Sequence, residues 1–149
     1  MRAVVQKVGF STVEVENELI GEIKEGLLVL LGVEDEDTET DVKYMVDKII
    51  NLRIFEDENE KMNLSLLDVK GDLMVISQFT LYGDCRKGRR PNFMAAAKPE
   101  FADSIYKKFL EESKKHVDNV ACGSFGAHMK VNLLNDGPVT ILLDSKKNF

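Results

Sequence analysis

No stretch of this chain approaches the ~18 apolar residues that a membrane-crossing helix needs, and the opening MRAVVQKVGFSTVEVE alternates like a strand where a secretion signal would carry an apolar core. These absences predict a protein without a membrane anchor, working in the cytoplasm. Cysteine is scarce: Cys85 and Cys122 have no CxxC spacing, so both are expected as free thiols and no disulfide staple is needed. Positive charge is in deficit, with 20 Lys and Arg against 26 Asp and Glu and a net charge of −6, which excludes a global electrostatic footprint for nucleic acid. Any RNA contact must therefore be local. Repeats, low-complexity tracts and linkers are also missing, and 149 residues at 44% hydrophobic and 31% charged predict one domain over residues 1–149. Such a chain buries about 70% of its unfolded surface.

What is present reads as strands with two substantial helices. Residues 4–8 and 12–15 alternate, with Gly9 between them marking a bend or bulge, and residues 19–23 continue the meander after a turn at Asn17 and Glu18. Residues 27–33 are almost continuously apolar, which suits a central strand buried on both faces. Thr38 or Thr40 can cap a helix whose Val42, Met45, Val46, Ile49 and Ile50 share one face. Residues 53–55 read as a short strand, residues 64–67 fit either helix or strand, and residues 73–77 form the next strand. Pro99 opens a second helix, with Phe101, Ile105, Phe109 and Leu110 at helical spacing. Residues 117–121, 127–134 and 139–143 supply the last strands. The fold class expected is α+β, a strongly curved, largely antiparallel, barrel-like sheet with two main helices.

Two short runs carry the chemistry: SQFTL at residues 77–81 and NDGPVT at residues 135–140. Neither contains a histidine, a carboxylate pair or a cysteine nucleophile. NDGPVT reads first as a turn between strands. Its Gly137–Pro138 pair has a further property: a bond to proline is held cis for only about 0.5 to 1 kcal/mol, and glycine removes the side chain that would crowd the bend. Rigid backbone can then be presented at close range. In SQFTL, the bland reading of Ser77 and Thr80 is a strand end whose hydroxyls satisfy loose backbone groups. An alcohol nucleophile needs a base within reach, and the run offers none. It offers donors instead, the backbone N–H groups and the Gln78 amide, for an oxyanion. Just beyond lie Arg86, Lys87, Arg89 and Arg90, either a solvated basic loop or, given their position beside the run, a phosphate-binding element. His116, Cys122 and His128 stand six residues apart, a spacing that fits no metal motif.

The two runs, their order and their separation resemble the D-aminoacyl-tRNA deacylases, also called D-tyrosyl-tRNA deacylases. The resemblance extends through MRAVVQKV at residues 1–8, GLLVLLGV at 26–33, SQFTLYGD at 77–84, KGRRPNF at 87–93, GSFGAHM at 123–129 and NDGPVT. It implies hydrolysis of the ester joining a D-amino acid to the terminal adenosine of tRNA, with glycyl-tRNA as a residual substrate. It also implies a homodimer with active sites at the subunit interface, contact with the acceptor end of aminoacyl-tRNA, and no cofactor or metal. Carried onto this chain, Ser77, Gln78, Phe79 and Thr80 line the reaction pocket. Gly137 and cis-Pro138 form a chiral filter reaching into the partner's pocket, and Phe125, Ala127 and Met129 help form the walls, although Ala127 and Met129 equally suit a buried strand.

Sparing the L-ester a thousandfold takes about 4 kcal/mol, more than the ~1 to 3 kcal/mol of one methylene contact in a soft pocket. A wall of rigid backbone meets that requirement while remaining indifferent to which D side chain points away from it. Two other classes remain open. One is an editing module like that of archaeal threonyl-tRNA synthetases, which acts on an L-ester, although the Gly-Pro pair fits the D-specific enzymes. The other is a non-catalytic binder of RNA ends using residues 86–90.

Overall fold

The computed structural model describes all of residues 1–149. Strand β1 (Arg2–Val15) is its spine. Antiparallel partners are β2 (Glu18–Ile23) against its second half, β3 (Gly26–Gly32) against its first, and β8 (Lys130–Asp144) along its other edge. Strand β6 (Asp72–Ser77) then adds parallel to β3, and β7 (Val120–Cys122) parallel to β6. The order β2-β1-β3-β6-β7 curls until its ends meet: a Cβ on Gly21 of β2 would lie 3.1 Å from the Cys122 carbonyl oxygen of β7. The sheet is thus nearly closed into a barrel.

The continuous apolar runs are explained by two cores. Leu27, Val29 and Leu31 of β3, with Leu73 and Val75 of β6, face the helices, whereas Leu28 and the β6 residues Met74 and Ile76 face the barrel interior with Val8, Val13 and Ile23. Because side chains alternate across a strand, both parities must be apolar when both faces are dry. At Gly26 β3 meets β6 so closely that a Cβ there would overlap the Asp72 carbonyl oxygen.

Gly9 sits in a bulge, as its sequence position suggests. Val8 faces Asn135 and Ser11 faces Leu133, so three steps along β1 match two along β8. One extra residue reverses the alternation, which is why odd-numbered Val5 joins the helix-side core while odd-numbered Val13 joins the barrel core.

Helix α1 (Glu39–Ile50) begins at Thr38, whose N–H and hydroxyl both donate to Asp41 Oδ2 at 2.8 Å. Its buried face is the expected set Val42, Met45, Val46, Ile49 and Ile50. The ambiguous segment near residue 65 forms a single helical turn, α2 (Leu66–Val69), because Ser65 and Asp68 cap it reciprocally. Strands β4 (Phe55–Glu56) and β5 (Met62–Leu64) form a small separate ladder. Helix α3 (Pro99–Lys114) starts at its proline and buries Ala102, Ile105, Tyr106, Phe109 and Leu110.

Three expectations are corrected. Phe101 lies off the core face of α3, 36% exposed, and the smaller Ala102 takes the buried position one step on. The strand expected over 117–121 is confined to Val120–Cys122, with Val117 buried in the connection before it. The strands expected over 127–134 and 139–143 are one strand, β8, so NDGPVT lies inside a strand and does not join two; Ala127 and Met129 precede it.

Candidate active site

Ser77 ends β6 opposite Leu31, and the Gln78 N–H donates to the Leu31 carbonyl at 2.8 Å, which carries the ladder one residue further. The chain then winds into a single 3-10 turn (Phe79–Tyr82). That turn is pinned from behind. Arg2 Nη1 donates to the Leu81 carbonyl at 3.1 Å, and its guanidinium lies 4.6 Å over the Tyr82 ring. The Tyr82 hydroxyl donates to Glu34 Oε1 at 3.1 Å; burial, reinforced by the nearby Asp37 and Glu34 carboxylates, pushes this phenol far above its usual range and keeps it a donor. The backbone of Phe79 and Thr80 therefore has little freedom.

In front of the turn opens a cleft of about 620 Å³, a size typical of small-ligand sites. Its floor is Leu31, Ile76, Ser77, Gln78 and Phe79; α3 contributes Ala102 and Tyr106, and the segment before β8 contributes Phe125, Ala127, His128 and Met129. Tyr106 is fixed by donating to the Val75 carbonyl at 2.7 Å and by packing on Phe125, ring centroids 5.8 Å apart. Met129 is seated by Gly123, where a Cβ would collide with its sulfur. The lining is mostly apolar, and its polar and charged side chains include Ser77, Gln78, Lys98 and His128 but no carboxylate.

The structure redistributes roles within SQFTL. The Gln78 N–H is engaged in the ladder, so the free main-chain donors are those that open the 3-10 turn, at Phe79 and Thr80, where the first N–H groups have no partner within the turn. Thr80 is exposed outside the cleft wall, its hydroxyl accepting the Gln78 amide. His128, set aside on sequence grounds, stands in the cleft wall without a hydrogen bond to Ser77 or Thr80. Extended alternation over residues 127–134 would have pointed it away from a site; the irregular path before Lys130 brings it in, and no sequence signal marks that.

The basic residues lie on a loop closed by a two-way bridge, Asp84 N–H to the Asn92 carbonyl at 2.7 Å and the reverse at 3.0 Å. Arg86 grips Asp84 through two contacts of 2.9 and 2.7 Å and holds its carboxyl down at about 2. Lys87, Arg89 and Arg90 are exposed and make no ion pair. His116 pairs with Glu112 at 3.4 Å on α3, and Cys122 lies in β7, so these residues and His128 are not gathered together.

Gly137 and Pro138 occupy a bulge within β8, a short loop that leaves the ladder while the strand pairs with β1 on either side of it. Gln6 faces Thr140 and Val8 faces Asn135, so two steps of β1 span five of β8 and residues 136–138 project outward. Their peptide bond is cis, and Gly137 has φ +143°, a region open to glycine alone. Asn135 braces the loop, accepting the Val139 N–H on Oδ1 and donating from Nδ2 to Thr140 Oγ1, each at 3.0 Å. The pair is exposed and does not line its own chain's cleft.

Comparisons with known proteins agree on one family. The profile of the family described as D-Tyr-tRNA(Tyr) deacylase matches residues 4–144. A Clostridium botulinum (strain Loch Maree / Type A3) protein named D-aminoacyl-tRNA deacylase is 66% identical over 149 residues, covering 100% of both chains. One of the same name from Natranaerobius thermophilus is 66% identical over 150 residues, again covering 100% of both. Among solved structures, one titled c-Myc DNA unwinding element binding protein superposes with TM-score 0.92 at 44% identity, over 97% of this chain and 98% of that one. Another, titled a probable eukaryotic D-amino acid tRNA deacylase, gives TM-score 0.82 at 17% identity over 95% and 97%, a likeness of fold alone.

Proposed function

The chain belongs to the D-Tyr-tRNA(Tyr) deacylase family, and we propose that it cleaves D-aminoacyl-tRNA by main-chain catalysis, with chirality selected by the Gly137–Pro138 loop of a partner subunit. It is a D-aminoacyl-tRNA deacylase, a hydrolase of aminoacyl-tRNA. The observation that carries the finer reading is that the conspicuous backbone loop is exposed and lies outside its own chain's cleft, while the cleft contains no carboxylate.

In this mechanism the ester carbonyl sits over Ser77 with its oxygen towards the Phe79 main-chain N–H and the Gln78 side-chain N–H, both in the cleft lining, while the Thr80 hydroxyl orients the Gln78 amide from outside. A water oxygen, or the ribose 2′-hydroxyl beside the ester, attacks the carbonyl carbon, and the N–H groups hold the oxyanion. The tetrahedral carbon then expels the ribose oxygen, which takes up the proton released by the nucleophile. When the 2′-hydroxyl attacks, the ester migrates to it and water completes the cleavage. The products are free amino acid and tRNA. Ser77, Gln78, Phe79 and Thr80 form the reaction corner, Phe125, Ala127 and Met129 the wall, and Arg86, Lys87, Arg89 and Arg90 the contact with tRNA phosphates.

Support for a homodimer comes from β8. It pairs only with β1, leaving one edge open beside Leu134 and Leu142, 53% and 58% exposed. Such an edge invites a second strand. A second subunit docked there would carry the Gly137–Pro138 loop across the interface.

The test is ester cleavage on D-tyrosyl-, L-tyrosyl-, L-seryl- and glycyl-tRNA. Release from the D-ester, with slower release from glycyl-tRNA, supports the reading, because a steric filter has no side chain to reject in glycine. Cleavage of the L-seryl ester alone would favour an editing module, and binding without cleavage an RNA-end binder.

A further inference from the structure

Phe79 and Phe93 both line the cleft, yet both rings stay exposed, so they extend it outward as an aromatic shelf past the corner where the ester reacts. Resting on the deacylase reading, we propose that Phe93, with Phe79 and the adjoining basic loop, forms a subsite for the unpaired nucleotides immediately 5′ of the aminoacylated adenosine.

Phe79 and Phe93 meet edge to face, centroids 5.2 Å apart at 70°, yet they are 57% and 36% exposed, and neighbouring Met94 is 87% exposed. Adjacent large apolar groups left open beside a site mark a contact surface. The shelf is built rigidly. The Phe93 ring lies against Gly83, where a Cβ would stand 3.0 Å from its Cε1. The Asp84–Asn92 bridge fixes the preceding residue, Asn92 Oδ1 accepts the Met94 N–H at 2.8 Å, and the Phe93 carbonyl accepts the Ala96 N–H at 3.0 Å. An aromatic face held this way loses little entropy when a base stacks on it.

Charge points to the same occupant. The bridge that seats Phe93 also closes the neck of the loop carrying Lys87, Arg89 and Arg90, three exposed cations without an anionic partner in a chain of net charge −6. Arg86 is paired with Asp84 at 2.7 Å, so of the four basic residues its charge is the most offset, and it also holds the neck. Sequence-tolerant recognition of single strands combines these two elements, a stacking face for bases and a run of cations for the backbone. Every tRNA presents the same unpaired 3′ end, so such a subsite grips the substrate without reading which tRNA it is.

The experiment compares D-tyrosyl-tRNA with 3′-D-tyrosyl-adenosine, a substrate with no upstream nucleotides. Enzymes tested are the wild type, Phe93→Leu, which keeps apolar packing against Gly83, and the triple variant Lys87→Ser, Arg89→Ser, Arg90→Ser. For Phe93→Leu the ratio of KM on tRNA to KM on the adenosine ester rises about tenfold, the scale of one lost stacked base. For the triple variant the salt dependence of KM on tRNA flattens by about 0.7 log unit per log unit of salt for each lost phosphate contact. A ratio and a salt slope unchanged in both variants, with melting curves confirming the fold, would overturn the subsite. Equal rises in KM on both esters would also overturn it, assigning the ring to the adenosine. If the wild type cleaves neither ester, the deacylase reading itself fails, an outcome distinct from both.

Discussion

Asn135 holds the backbone of Val139 across the loop that projects from β8: its Oδ1 accepts the Val139 N–H at 3.0 Å, and its Nδ2 donates to Thr140 Oγ1 at the same distance. Both ends of the Gly137–Pro138 loop are thereby tied to one side chain. Replacing Asn135 by Leu removes both bonds at a cost of about 2 kcal/mol and loosens the loop without touching the cleft. The expected result is faster cleavage of L-tyrosyl-tRNA relative to the D-ester, with D-ester turnover reduced less. Asn135→Asp keeps the acceptor for Val139 and should lie between the two. Unchanged D/L selectivity in Asn135→Leu would remove the filter role from this loop.

Thr80 lies outside the cleft wall and His128 within it, and neither is joined by a hydrogen bond to Ser77. Main-chain catalysis predicts that Thr80→Ala and His128→Ala each keep kcat within about tenfold of wild type, below the 10²- to 10⁴-fold that an acid–base residue contributes. Single-turnover cleavage of D-tyrosyl-tRNA measures this. A thousandfold loss in His128→Ala with unchanged tRNA binding would make the imidazole the base.

Leu134 and Leu142 are exposed on β8, the strand with the open edge. Leu134→Lys and Leu142→Lys introduce charge there and should shift the protein from twice the chain mass to the monomer in light scattering. On the proposed arrangement activity falls in parallel, because each cleft would lose a partner's loop. A wild-type monomer with full activity would contradict the arrangement.

Acid should destabilise the fold from below about pH 4.5. Burial alone would raise the Glu34 carboxyl, but Lys146, the N-terminal ammonium and the Tyr82 hydroxyl, at 3.0, 3.4 and 3.1 Å, leave it below its ordinary 4.5. Asp57 is lowered by the Lys61 and Asn59 N–H groups, and Asp68 by Ser65. A carboxyl with a depressed folded-state value stabilises above its unfolded pKa, and that stability is lost as pH falls through the folded value. Asp37 opposes this, because burial raises it against the pull of the ammonium 2.6 Å away, but it is one group against several. The urea midpoint should be flat near neutrality and fall steadily below pH 4.5. Lys146→Met should make the fall shallower.

Much of the fold was legible because local rules agreed with the tertiary outcome. The all-apolar β3 announced a strand dry on both faces, Pro99 marked one helix start, Thr38 or Thr40 marked the other with the structure choosing Thr38, and Gly9 marked the bulge that turns β1 from one core to the other. Phe101 was misread because helical spacing alone does not say how wide the buried stripe is, and the sheet leaves room for Ala102. Residues 127–129 were misread because alternation in an irregular segment imitates a strand.

The sequence by itself determined the α+β class, the family and the two runs where chemistry concentrates, since each depends on local composition and short-range order. Only the tertiary structure decided that the Gln78 N–H belongs to Leu31, that His128 enters the cleft, that Thr80 stays out of it, and that Gly137 and Pro138 project from the middle of a strand. Those outcomes depend on register and on which groups meet across the sheet, and a hydrogen bond between residues 31 and 78 leaves no trace in the neighbours of either.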